Sequence, residues 1–130
     1  MNIYIGYDSR EDLAYQVCNH SIKSKSETAN IFPLKLNELK DKGYYTRGED
    51  KLGSTEFTFS RFLVPILNAY KGWALFCDCD LLFLNSVEEL FSLVDDKFAV
   101  MCVQHDYNPK GNTKMDGRLQ SIYPRKNWSS

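Results

Sequence analysis

Apolar residues in this chain come in short runs, and three of them stop on chemistry-bearing residues. Asn2 to Gly6 precedes Tyr7-Asp8, Trp73 to Cys77 precedes Asp78-Cys79-Asp80, and Phe98 to Val103 precedes Gln104-His105-Asp106. Short apolar runs bounded by turn-forming residues have the pattern of buried strands. The stretches between them carry apolar residues at helical spacing, and alternation of strand and helix predicts an α/β fold: a mostly parallel open sheet flanked by helices. Ligands of such sheets gather beyond the carboxyl ends of the strands. The three polar clusters are therefore expected to meet on one edge.

The elements follow from local signals. Ser9, with Asp12 three residues on, forms an N-cap pattern, and Leu13, Ala14, Val17, Cys18, Ser21 and Ile22 share one helical stripe, which predicts a helix over 11–25. A second strand is expected over 29–36, then a polar segment over 37–53 with one helical turn. Phe59, Phe62, Leu63, Ile66 and Tyr70 predict a helix over 55–70, bent where Pro65 cannot donate to the carbonyl of Arg61. Leu81 to Leu84 is expected to be a brief strand, Ser86 to cap a short helix through Leu93, and 98–103 to be a buried strand. Residues 104–130 are polar, and a loop-rich tail is expected there within one domain spanning 1–130.

Composition excludes several classes. Sixteen Lys plus Arg against 17 Asp plus Glu leave a formal net charge of −1, which offers no field for holding nucleic acid. The longest apolar run, Phe98 to Val103, is far short of the roughly 20 residues a membrane-spanning helix needs. Met1 leads directly into a strand-like segment without a secretory pattern, so a cytoplasmic location is expected. The four cysteines, Cys18, Cys77, Cys79 and Cys102, form no C-x-x-C pair and lie in apolar segments, as reduced core thiols do.

Asp78-Cys79-Asp80 carries the strongest chemical signal. At period-two spacing the two carboxylates project to the same side, and at about 4 Å they would repel by about 4 kcal/mol at an effective dielectric near 20. A divalent cation relieves that repulsion. Carboxylate oxygens suit Mg2+ or Mn2+, ions that clamp a diphosphate and stabilise a leaving group. A pair of solvated loop carboxylates is the alternative, but an apolar strand on one side and a further apolar run on the other place at least one of them near low-dielectric surroundings.

With Ile3-Tyr4-Ile5-Gly6-Tyr7-Asp8 and Thr58-Phe59-Ser60-Arg61-Phe62, the segment Trp73-Ala74-Leu75-Phe76-Cys77-Asp78-Cys79-Asp80 resembles the nucleotide-sugar glycosyltransferases of family 8 and their relatives with the GT-A fold. The three motifs stand in the family's order. The resemblance implies the N-terminal part of a GT-A domain, a UDP-sugar donor, Mn2+ (or Mg2+) as cofactor, and transfer of a hexosyl group with retained configuration to an acceptor the sequence does not name. It implies that Asp78 and Asp80 match the metal and diphosphate motif, Asp8 the acid contacting the nucleoside, and Arg61 an arginine near the donor sugar and phosphates. Tyr7 would stack on the base, and His105 and Asp106 resemble residues lining the sugar pocket. Family members are usually longer and supply a histidine to the metal, which neither His20 nor His105 matches. A chain covering only the donor half is expected to be poorly active alone and, with an uncovered sheet edge, to form a homo-oligomer.

Bland readings exist for these residues: Asp8 as a helix cap, Arg61 as a surface arginine, and His105-Asp106 as part of a turn. Two functional alternatives stand beside transfer. One is a nucleotide-sugar-binding domain without turnover. The other is a phosphatase of the haloacid-dehalogenase type, which also follows a hydrophobic strand with D-x-D but continues with Thr or Val where Leu82 stands.

Overall fold

The computed structural model describes residues 1–48, 53–103, 111 and 113, and the chain divides into two units, Met1–Val94 and Asp95–Ser130. In the first, β1 (Asn2–Gly6), β2 (Asn30–Leu34) and β3 (Ala74–Cys77) form one parallel sheet in the order β2-β1-β3. Ile3 lies opposite Ile31 and Leu75, and Ile5 opposite Pro33 and Cys77. Pro33 is tolerated because β2 is an edge strand among the described residues, and an edge can leave an N–H position unpaired. The α/β class is as expected, and β1 lies between the other two strands. Four of its five residues are buried, whereas only Cys77 is buried in β3.

Helix α1 (Asp12–Lys25) links β1 to β2 and packs with Ile3, Ile5 and Cys77 in one core cluster, to which Phe57, Cys79 and Val87 also belong. Tyr4 belongs to a second cluster, with Leu34, Leu39 and Val64. Alternation along β1 thus feeds both cores, as period-two side-chain direction requires. The stripe that α1 buries is Tyr15, Cys18, Ser21 and Ile22; Leu13, at 83% exposure, and Val17 face outward. The expected stripe is therefore rotated. Tyr15 replaces Leu13 because its ring meets Tyr7 edge-on, with centroids 5.3 Å apart.

The expected cap is also displaced. Asp8, not Ser9, accepts the capping hydrogen bond, from the Arg10 N–H, and it opens a 3-10 turn over Ser9–Glu11 before α1 begins. Ser9 instead donates its hydroxyl to Glu56 at 2.6 Å. Helix α2 (Leu36–Asp41) supplies the helical turn expected after β2.

Over 55–70 the chain forms turns, a 3-10 stretch Ser60–Leu63 and the four-residue α3 (Val64–Leu67), not one long bent helix. Pro65 lies in the first turn of α3, where its missing N–H costs nothing. The Arg61 carbonyl accepts from the Val64 N–H, so the expected orphan does not arise. Phe62, Ile66 and Tyr70 are exposed, and the buried positions are Phe57, Ser60 and Val64.

Residues 81–84 form no strand, and Leu81, Leu82 and Leu84 are exposed. This segment is held by individual hydrogen bonds rather than by a ladder, the Phe83 N–H donating to Ser21 Oγ at 3.0 Å. Helix α4 (Val87–Phe91) starts at Ser86, whose hydroxyl accepts from the Glu88 N–H as expected of a cap. In the second unit, 98–103 forms no strand either: Phe98, Val100, Met101 and Val103 are exposed, and no neighbour among the described residues gives this run a ladder. The expected tail over 104–130 lies, apart from 111 and 113, outside the described residues. Among the described residues no helix is long and apolar enough to cross a membrane.

Candidate functional site at the carboxyl edge of the sheet

Parallel pairing places the carboxyl ends of β1, β2 and β3 side by side, and each hands on to polar residues: Tyr7 and Asp8 after β1, Lys35 and Asn37 after β2, Asp78 and Asp80 after β3. The two D-x-D carboxylates differ in setting. Asp80 is exposed, whereas the Asp78 side chain is 35% exposed and its Oδ1 is buried without a hydrogen-bond partner among the described residues. The Arg61 guanidinium lies 3.7 Å from that oxygen, close enough for ionic attraction but too far for a hydrogen bond. Burial raises the Asp78 carboxyl above its usual range. Arg61 opposes that shift, and the negative charges of Asp80 and Glu11 add to it.

Arg61 is held from several sides. Its guanidinium carbon lies 5.4 Å from the Phe57 ring centroid and 5.2 Å from that of Phe76, and its Nε donates to the Phe57 carbonyl at 3.4 Å. Phe76 is on β3 and Phe57 sits in the core beside β1, so the arginine leans on rigid structure. Beside it, Ser60 is fully buried and its Oγ has no partner among the described residues. The fold therefore brings Arg61 beside Asp78. The two phenylalanines that brace the arginine sit 4 residues before and 15 after it, and although Phe76 lies in an expected strand, nothing in the sequence marked either as its support.

Asp8 is also at this edge but is already saturated. It is 0% exposed, and it accepts from Arg10 Nε and N–H at 2.9 Å, from Arg10 Nη2 at 2.6 Å and from the Glu56 N–H at 3.1 Å. The bonds from Arg10 hold its carboxyl down at about 2, against the opposing effect of burial. The helix-cap reading of Asp8 is thus realised locally, at the 3-10 turn. Tyr7 donates its hydroxyl to Asp12 at 2.8 Å, which raises its own pKa, and the Lys35 ammonium stands 5.2 Å from its ring centroid. His105 and Asp106 lie outside the described residues.

A cleft of about 350 Å³ opens beyond β1 and β2, with Arg10, Asn37, Lys40, Tyr45 and Thr58 in its lining. Glu11 is a further member of the edge that sequence reasoning missed. Its carboxylate accepts from the Cys79 thiol at 3.3 Å, and burial together with Glu11 pushes that thiol up to about 12. Only the fold brings residues 11 and 79 together, so no spacing rule could have paired them.

Among the described residues no group of three or more His, Cys, Asp or Glu is arranged to hold a metal. Asp78 and Asp80 nevertheless fit the half of a site that a protein gives to a hard divalent ion. One or two carboxylates commonly suffice when substrate phosphates and water complete the shell, and the orphaned Asp78 Oδ1 is an acceptor short of a partner.

No known family model matches the chain, and no solved structure matches it. The chain is 59% identical over 129 residues to the Arabidopsis thaliana protein named Protein CDI, a match that takes in 98% of this chain and 50% of that relative. It thus spans about half the length of the curated relative it matches.

Proposed function

We propose that this chain carries the donor-binding part of a GT-A glycosyltransferase that binds a UDP-sugar with Mn2+ or Mg2+ and acts in the cytoplasm. The observation that carries the reading is the buried Asp78 Oδ1 at the end of β3, which accepts no hydrogen bond among the described residues, with Asp80 two residues on and a braced Arg61 3.7 Å away. Asp78 and Asp80 hold the ion, which when bound supplies positive charge against the diphosphate leaving group. Arg61 contributes a fixed positive charge to the same diphosphate or to sugar oxygens, and being braced beforehand it needs no reorganisation. The cleft beyond β1 and β2 offers Arg10 and Lys40 to further anionic groups. Transfer proceeds with retained configuration to an acceptor of unassigned chemistry. Four free cysteines fit a reducing compartment.

Titration calorimetry with UDP, with and without Mn2+, tests this. Binding is expected only with the metal, and to be lost in Asp78→Asn and in Asp80→Asn. The melting temperature of Asp78→Asn should hold or rise, because the carboxylate oxygen concerned has no hydrogen bond to lose. Equal UDP affinity in wild type and both variants, whatever the metal, sinks the proposal. Metal-dependent binding with no sugar transfer to any acceptor supports instead the reading of a binding domain without turnover.

A further inference from the structure

We propose that Cys79 and Glu11 are positioning residues: the thiol of Cys79, bonded to Glu11 at the start of α1, fixes the turn that carries Asp78 and Asp80. The proposal rests on the reading of those two aspartates as the cation-holding pair. After Cys77, the last residue paired with β1, the backbone leaves the sheet, and residues 79 and 80 form a turn. From there on the two carboxylates need another source of rigidity, because an ion held by two side chains senses displacements well below the width of an atom. Cys79 sits between them and points the other way. It is almost fully buried, in the cluster with Ile5, Cys18 and Val87, while Asp78 is half-buried and Asp80 exposed.

Packing alone would locate Cys79 but would leave the rotation of its peptide planes soft. The hydrogen bond from Sγ to Glu11 Oε2 at 3.3 Å supplies the direction. Glu11 is itself well placed to act as an anchor. It closes the 3-10 turn Ser9–Glu11, its N–H donates to the Asp8 carbonyl at 2.9 Å, and it is the residue immediately before α1. Asp8 in turn is locked by Arg10 and by the Glu56 N–H. The saturated carboxylate after β1 and the unsaturated one after β3 are thereby joined through Glu11 and Cys79. Asp8 then serves the edge as a foundation.

Hydrogen exchange over the peptide containing 78–82, measured without metal or nucleotide, reports the turn itself, and Mn2+ titration followed by electron paramagnetic resonance reports its consequence. Cys79→Ala and Glu11→Ala should both speed exchange in that peptide and weaken Mn2+ binding by about tenfold or more, the usual cost of removing a group that orients a metal ligand. Cys79→Ser and Glu11→Gln keep a donor and an acceptor respectively, and should restore both readouts toward wild type. Unchanged exchange in the two alanine variants overturns the proposal, as does failure of serine to rescue. Should Cys79→Ala not fold, the Glu11 pair decides alone, since Glu11 is exposed. If wild type binds no Mn2+, the reading of the aspartates fails, while the exchange data still decide whether Cys79 and Glu11 fix the turn.

Discussion

Asp8 and Asp78 stand at the ends of neighbouring strands and solve the problem of a buried carboxylate in opposite ways. Asp8 has donors around both oxygens, and its carboxyl is held down at about 2. A depressed carboxyl contributes stability that is complete above its unfolded value of 3.8 and is lost as pH falls through about 2. Because Arg10 is largely solvent-exposed, screening discounts the contribution to about 1–2 kcal/mol. Urea unfolding should therefore show Asp8→Asn less stable than wild type by about 1–2 kcal/mol at pH 7, with the gap closing as pH approaches 2. A gap independent of pH would show that the carboxylate's charge is not what stabilises this turn. Arg10, two residues beyond Asp8, was within reach of a sequence argument. Of the groups around Asp78, Arg61 was suggested by the family resemblance alone, whereas Glu11 and the Phe57 that braces Arg61 were not legible, because only the fold brings them there.

At the scale of elements, the placement of Arg61 depends on a glycine. A Cβ at Gly6 would lie 2.5 Å from a ring carbon of Phe57, which is nearly fully buried and cannot swing aside. Glycine at the end of β1 thus lets Phe57 press onto the strand, and Phe57 braces Arg61 by its ring and its carbonyl. Gly6→Ala is expected to cost about 1–3 kcal/mol through overpacking and to weaken nucleotide binding through the displaced arginine. Combining it with Phe57→Leu should recover part of the stability but not the bracing that the ring supplies, a non-additivity that a double-mutant cycle measures. The sequence marks Gly6 as a strand end but not as a point of close approach. Elements specified by strong local signals were legible in it: β1, most of α1, β2, β3 and the Ser86 cap of α4. Elements inferred from hydrophobic spacing alone were not. Over 55–70 the apolar residues occur at helix spacing and 98–103 is one continuous apolar run, yet many of them face solvent, so neither pattern reported a buried face.

At the scale of the whole molecule, the described residues of the first unit present exposed apolar side chains. Leu81, Leu82, Leu84 and Leu93 are exposed, and residues 82–87 with Glu89, Leu90 and Leu93 line an open apolar depression of about 540 Å³. The fold explains why these leucines are there without covering them: 81–84 leaves the carboxyl edge of the sheet and is tied back by the Phe83 N–H to Ser21. Ser26 then holds the entrance of α4 through the Val87 N–H at 2.9 Å and through Glu88 at 2.6 Å. Leu84 between those ties, Leu81 and Leu82 before them and Leu93 beyond α4 all face outward. Exposed apolar groups of this extent mark association surfaces, and a net charge of −1 provides little repulsion between copies. The purified chain is therefore expected to self-associate through this face. Sedimentation velocity should show a mass that rises with concentration and persists in high salt, because apolar contacts are not screened as ion pairs are. Replacing Leu82 and Leu84 by Lys should shift the population to monomer and leave the ties at Ser21 and Ser26 intact. A wild-type monomer at every concentration, or an oligomer that salt dissolves, places the association elsewhere or removes it.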